Sequence, residues 1–132
     1  MSGAAVSVVI VHYGDEAYLR RCLESVRRSE CAPTEVIVVD NNGARGTPLT
    51  PAALGLADGA GRVLPSEGNL GFAEGCNRGI RAARGRYVFL LNNDIELDPV
   101  CLGRLVAMAE ADPEIAILQP KMLDFTHREL FH

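Results

Sequence analysis

The sequence predicts an α/β domain built on a mainly parallel sheet with helices on both faces, a Rossmann-like arrangement. Three observations carry that expectation. Several strand candidates are near-continuous apolar runs, "VSVVIV" (6–11), "EVIVVD" (35–40) and "RYVFLLN" (86–92), as strands buried on both faces tend to be. Segments with helical periodicity separate them. At 132 residues, with 48 % apolar and 23 % charged residues, the chain has room for one domain (1–132) with a real core.

Each element follows from local signals. "VSVVIV" is a β-branched run broken by "HYGD", and Asp15 is placed to cap a helix over 16–28 in which Leu19, Cys22, Leu23 and Val26 share a face. Pro33 punctuates before the second strand at 35–40. Residues 41–61, rich in Gly, Pro and Ala, read as a long loop with one short helical turn. "RVLP" (62–65) is a short third strand, and "NLGFAEGCNRGIRAARG" (69–85) is a loop leading into a helix. The fourth strand at 86–92 is expected to be buried on both faces. Asp98 and Pro99 then suit the cap and first turn of a third helix, with Leu102, Leu105, Val106 and Ala109 on one face. "IAILQP" (115–120) reads as a fifth strand, followed by a tail over 121–132.

Composition excludes several classes. The net charge is −4, with twelve arginines and the single lysine Lys121, and most of those arginines fall on amphipathic helices, so no basic face for nucleic acid is expected. No run of 18 apolar residues suggests a transmembrane segment, and the N-terminus lacks the basic start of a signal peptide. The four cysteines (22, 31, 76, 101) show no metal spacing and read as free thiols of a cytoplasmic protein.

Ligands of parallel α/β sheets bind at the carboxyl ends of the strands. Here three such ends are polar: His12-Tyr13-Gly14, Asp40-Asn41-Asn42 and Asn92-Asn93-Asp94. Burying unpaired polar groups is costly, so each is either a solvated turn or part of a site, and three on one edge favour a site. Gly68-Asn69-Leu70-Gly71 lies beside the same edge, where backbone N–H groups can approach a phosphate. Gly71, Gly75 and Gly79 recur every four residues on one helix face, which serves either close packing on the sheet or close approach of a ligand. The phosphate-loop and dinucleotide motifs G-x-x-x-x-G-K-[ST] and G-x-G-x-x-G are absent.

The stretches "VSVVIVHYGDEAYLRRCLESV", "EVIVVDNN", "NLGFAEGCNRGIRAARGRYVFLLNND" and "ELDP", in that order, resemble the N-terminal nucleotide-sugar-binding half of inverting family-two glycosyltransferases of rhamnosyltransferase type. The resemblance covers about residues 6–120 and implies a GT-A fold, here truncated on the acceptor side. It implies that Asp40 accepts a hydrogen bond from N3–H of uracil or thymine, and that His12 and Tyr13 pack around the base. By the same resemblance Asn69, Gly71 and Asn77 lie along the nucleotide and diphosphate. Asn92, Asn93 and Asp94 stand where the family has its Asp-x-Asp-like motif. There Asp94 would hold Mg²⁺ or Mn²⁺ bridging the phosphates, with Asn92 and Asn93 as partners for ribose or metal-bound water.

The resemblance further implies a UDP- or TDP-linked sugar as donor and a sugar or lipid-linked hydroxyl as acceptor. Departures from the family pattern are Gly14, where an Asn is common, and Arg45, where an acidic residue is common. The family's general base comes later in the chain, so no catalytic residue is assigned to Asp124, His127 or Glu129, and these residues alone are expected not to complete transfer. A non-catalytic nucleotide-binding module and a nucleotidyltransferase are the alternatives. A sheet edge left open would favour self-association, and the inner face of the membrane is an alternative location within the cytoplasm.

Overall fold

The computed structural model describes residues 5–45, 47–56 and 59–127. Its elements run β1 (Val6–His12), α1 (Glu16–Arg27), β2 (Glu35–Asp40), β3 (Gly61–Pro65), α2 (Gly71–Ala82), β4 (Tyr87–Asn92) and α3 (Cys101–Ala111). The four strands form one sheet in the order β3-β2-β1-β4, every pairing parallel. All strands therefore present their carboxyl ends on the same edge, which brings His12 opposite Asp40 and Val11 opposite Asn92.

β1 and β2 are buried along their whole length, as their continuous apolar runs require. One face of the sheet packs Val6, Val8, Ile10, Val36, Val38 and Leu91 against α1, whose Leu19, Cys22, Leu23 and Val26 form the expected stripe, and against Leu102 of α3. Each buried Leu or Val there contributes about 1.5–3 kcal/mol of hydrophobic stabilisation. The other face sets Val9, Ile37 and Val39 beneath the end of α2. The glycines at 75 and 79 make that contact close. A Cβ on Gly79 would stand 2.2 Å from Val9 Cγ1, and one on Gly75 2.8 Å from Val11 Cγ1. Close packing thus accounts for two of the three periodic glycines. Gly71 has nothing within 4 Å of its would-be Cβ and a φ of +81°, so its need is conformational.

Asp15 caps α1 as expected, its carboxylate accepting from Ala17 N–H at 2.8 Å. Among its described residues the 41–61 loop holds a helical turn around Leu54, which is buried, with Thr50 Oγ1 accepting from Ala53 N–H. Two α1 arginines grip that turn rather than facing only solvent: Arg20 donates to Ala53 C=O and Arg27 to Leu54 C=O. α3 begins later than expected, because Asp98 and Pro99 form a separate turn in which Asp98 Oδ1 accepts from Val100 N–H.

Two expectations are corrected. Residues 115–120 form no strand: an apolar run becomes a strand only when its N–H and C=O groups find a neighbour, and here no strand among the described residues pairs with it, leaving Ile117 89 % exposed. β4 is not buried on both faces, since α2 lies over β1 and β2 and leaves Val88 and Leu90 exposed at the sheet's edge. No helix among the described residues is long and apolar enough to cross a membrane. Of the tail residues weighed above, Glu129 lies outside the described residues.

Candidate functional site

A cleft of about 270 Å³ opens at the carboxyl edge between the ends of β1 and β4 and the start of α2. Its β1 and β4 sides are Val11, Tyr13, Asn92, Asn93 and Asp94. Asn41, Asn69, Gly71 and Phe72 complete it from β2's end and the head of α2. Six residues expected at a site from the sequence, Tyr13, Asn69, Gly71, Asn92, Asn93 and Asp94, are therefore brought together.

The other three stand elsewhere. His12 is 1 % exposed and lies behind the wall of the cleft. Asp40 is also buried, and its Oδ1 accepts from Asn42 N–H in a strand-end turn. Asn77 lies exposed on α2, outside the cleft lining.

Local chemistry shapes the walls. Asn69 Oδ1 accepts from Gly71 N–H at 2.9 Å, a short-range turn that sets up the entry to α2 with Gly71 in the left-handed region. Asn41 ties that entry to the sheet: its Nδ2 donates to Gly71 C=O and its Oδ1 accepts from Ser66 Oγ. Neither Asn41 nor Phe72 stands out as a site residue by sequence alone. Asn41 lies within a polar strand end, and that clue could have found it. Phe72, 50 % exposed, has no distinguishing signal.

Behind the β4 wall, Cys22 contacts Asn92 C=O, and burial pushes its thiol up to about 12, with the Asp94 and Glu96 carboxylates adding to the shift. Cys22 is thus an inert packing thiol. His12 is joined to both sides of the site: its Nε2 lies 3.1 Å from Asn42 Nδ2 and its Nδ1 2.9 Å from Asn93 Nδ2. Burial pushes its pKa down, outweighing the carboxylates of Asp40, Glu16 and Asp15 that pull it up.

No group of three or more His, Cys, Asp or Glu among the described residues could by itself hold a metal ion. The cleft offers one carboxylate, Asp94, which makes no ion pair or side-chain hydrogen bond among the described residues. Mg²⁺-type ions are commonly held through one or two carboxylates plus a ligand's phosphates. The donor set therefore fits a cation shared with a bound phosphate better than one caged by protein.

The chain is similar to known proteins in sequence and in fold. The family model for glycosyl transferase family 2 matches residues 7–128. The succinoglycan biosynthesis protein ExoO of Rhizobium meliloti (strain 1021) is 34 % identical over 106 residues, covering 80 % of this chain and 30 % of ExoO. Among solved structures, the mannosyltransferase PcManGT from Pyrobaculum calidifontis, in complex with GDP-Man and Mn²⁺, superposes with a TM-score of 0.69 at 24 % identity, covering 83 % of this chain and 33 % of that one. S. aureus TarS 1–349 in complex with UDP gives a TM-score of 0.65 at 20 % identity, over 94 % of this chain and 43 % of TarS. These two likenesses show the fold, that of the GT-A glycosyltransferases. The chain spans about a third of the length of most of the curated relatives it matches, and less of the others. With nearly all of its length matched by the family model, this chain belongs to glycosyl transferase family 2.

Proposed function

We propose that this chain forms the donor-binding part of a glycosyltransferase, taking a nucleoside-diphosphate sugar into the cleft with Mg²⁺ or Mn²⁺ held through Asp94. The observation that carries this reading is the convergence of a carboxylate, four amides, an exposed tyrosine and a left-handed glycine at a helix entry on one cleft. The GDP-Man of the PcManGT complex and the UDP of the TarS complex support a donor of this class. The name of ExoO supports a place in polysaccharide biosynthesis.

The reaction proposed for the whole protein is a displacement with inversion. An acceptor hydroxyl oxygen bonds to the anomeric carbon while the bond to the diphosphate breaks, and the hydroxyl proton passes to a base not assigned among these residues. A bound cation supplies Lewis-acid neutralisation of the charge on the departing diphosphate. The residues here position the donor: Gly71 and the Asn69 turn lie along the diphosphate, Tyr13 packs beside the base, and Asp40, outside the cleft lining and with Oδ1 taken by Asn42 N–H, offers its second carboxylate oxygen to N3–H of a pyrimidine. The rhamnosyltransferase-type motifs favour a UDP- or TDP-linked sugar.

The test is calorimetric titration with UDP, TDP and GDP, each with Mn²⁺ and with EDTA. Pyrimidine diphosphates are expected to bind in Mn²⁺, and Asp94→Asn to remove the metal-dependent part of binding while the melting temperature holds. Equal affinity in EDTA and Mn²⁺ would sink the role of Asp94.

A further inference from the structure

The hydrogen bonds around His12 are over-determined. Asn42 is locked by the backbone of Gly14: Gly14 N–H donates to Asn42 Oδ1 at 2.9 Å, and Asn42 Nδ2 donates to Gly14 C=O at 3.0 Å. Turning that amide over would set like groups against each other at both contacts. Gly14 holds this pose with a φ of +92°, a conformation that most side chains resist. The second proton of Asn42 Nδ2 therefore points at His12 Nε2, 3.1 Å away, and that nitrogen must accept. A neutral ring then carries its proton on Nδ1.

Nδ1–H faces Asn93 Nδ2 at 2.9 Å, while the same Nδ2 donates to Tyr13 C=O at 2.9 Å. Those two demands are opposite: the carbonyl needs NH₂, and Nδ1–H needs an oxygen. Asn93 can meet only one at a time. With NH₂ on Tyr13 C=O, Nδ1–H is left facing a donor. Turned over, Oδ1 accepts from Nδ1–H and the NH₂ swings away from His12 and Tyr13, toward the cleft that Asn93 lines. A protonated ring would face amide NH₂ groups with both nitrogens, so the arrangement selects the neutral form. The charged groups that face the ring are Asp40 on β2 and Asp15 and Glu16 at the head of α1.

We propose that His12 is a positioning residue that makes the Asn93 amide a two-position donor, turned outward to the ligand when an oxygen-rich anion fills the cleft. The anion is taken to be the nucleoside diphosphate of the proposed function, on which this part of the inference rests. An empty cleft leaves the NH₂ on Tyr13 C=O. A bound diphosphate offers oxygen acceptors to the NH₂ and lets Nδ1–H find Oδ1, so both groups are satisfied together. His12 thereby acts on a ligand it does not touch.

The experiment has two arms. In the free protein with ¹⁵N-labelled histidine, long-range ¹H–¹⁵N spectra assign the His12 tautomer, with His12→Phe identifying its signals. The expected result is a neutral ring protonated on Nδ1 from about pH 6 to 8, spanning the range in which an ordinary histidine changes charge. A ring protonated on Nε2, or an imidazolium, would overturn the proposal. This arm needs no ligand, so its outcome is independent of nucleotide binding. A wild type that binds no nucleoside diphosphate would sink the proposed function and with it the outward turn of Asn93.

The second arm uses UDP with Mg²⁺. His12→Phe and Asn93→Ala are each expected to weaken UDP binding about tenfold, the scale of one hydrogen bond to a charged group, and the double variant no more than either alone. Losses that multiply would reduce His12 to a packing residue. Should His12→Phe fail to fold, saturating the wild type with UDP and Mg²⁺ still decides: the Asn93 side-chain amide signals must move, and unmoved signals would overturn the proposal.

Discussion

The two ends of this sheet are both polar and both partly buried, yet they are built differently. At the amino end Glu35, 6 % exposed, accepts hydrogen bonds from Ser7 Oγ, Arg84 N–H and Arg62 Nη2, while Ser7 Oγ accepts from Gly85 N–H. The oxygens there are taken up in closing the α2–β4 connection onto β1, β2 and β3. The Gly85 backbone passes so near that a Cβ would stand 2.6 Å from Ser7 N. At the carboxyl end the inner ring of His12, Asn41 and Asn42 is likewise tied down, but Asp94 in front of it has no side-chain partner among the described residues. A polar strand end is therefore not in itself a site. What distinguishes the site is polar capacity left over once the fold has been satisfied.

The sharpest way to break this comparison is Glu35→Ala. Removing one member of a buried, hydrogen-bonded ion pair is expected to cost about 3–5 kcal/mol of stability, read from urea unfolding, while UDP affinity of the folded protein is unchanged. A loss of affinity at equal stability would mean that the amino end also serves the ligand.

Asp40→Asn probes the opposite end. The amide keeps an oxygen for Asn42 N–H, so folding is expected to hold, whereas loss of a charge-assisted bond to the base should weaken UDP or TDP binding by roughly 10- to 150-fold. GDP bound as tightly as UDP by the wild type would remove the role given to Asp40.

Gly75→Ala sits between the two cases. Its Cβ would stand 2.8 Å from Val11 Cγ1 and 3.1 Å from Asn41 Nδ2, so overpacking of about 1–3 kcal/mol is expected together with weaker nucleotide binding. Melting and titration of the same sample check both. An unchanged melting temperature would show that α2 does not press on the sheet as described.

The smallest effect is on pH dependence. Burial pushes the Glu35 pKa up, but the hydrogen bonds from Ser7, Arg84 and Arg62 and the charge of Arg62 outweigh it, so the group is held below its ordinary value. The folded state then binds fewer protons than the unfolded one. The stabilisation is complete above the ordinary carboxylate range and lost as pH falls through the depressed value. Glu35→Gln should flatten this acid limb in unfolding experiments below about pH 5. An acid limb equal to the wild type's would refute the assignment.

Much of this was legible in the sequence, for reasons that differ by region. β1, β2 and α1 were readable because their burial is complete or one-sided and leaves a clean period, and Asp15 announced its cap. Residues 115–120 misled because apolar character reports a tendency to be buried, whereas a strand also requires a partner for its backbone. β4 misled similarly, its run hiding that α2 lies over β1 and β2 and leaves β4 open. Within the site, Tyr13, Asn69, Gly71 and Asn92 to Asp94 fell together because a parallel sheet collects its strand ends on one edge. Asn41 shared the polar strand end at 40–42, whereas Phe72 depends on how the head of α2 docks, which no local pattern encodes. Whether a polar side chain lines the cleft or stands behind it, as His12 and Asp40 do, depends on which way the strand ends turn, and single-residue chemistry does not report that.

The strand order carries one more consequence, for assembly. β1 is made first yet lies in the interior of the sheet, pairing with β2 through Ser7↔Glu35 and with β4 through Val6↔Tyr87. The first pairing closes a short stretch of chain; the second waits until β2, β3 and α2 have all been synthesised and carries a larger loop-closure entropy. A nascent chain can therefore hold β1 and β2 together while the β4 side is still open. The cleft, whose two main walls are the tips of β1 and β4, takes shape only when β4 docks, so a formed cleft reports that these four strands have paired.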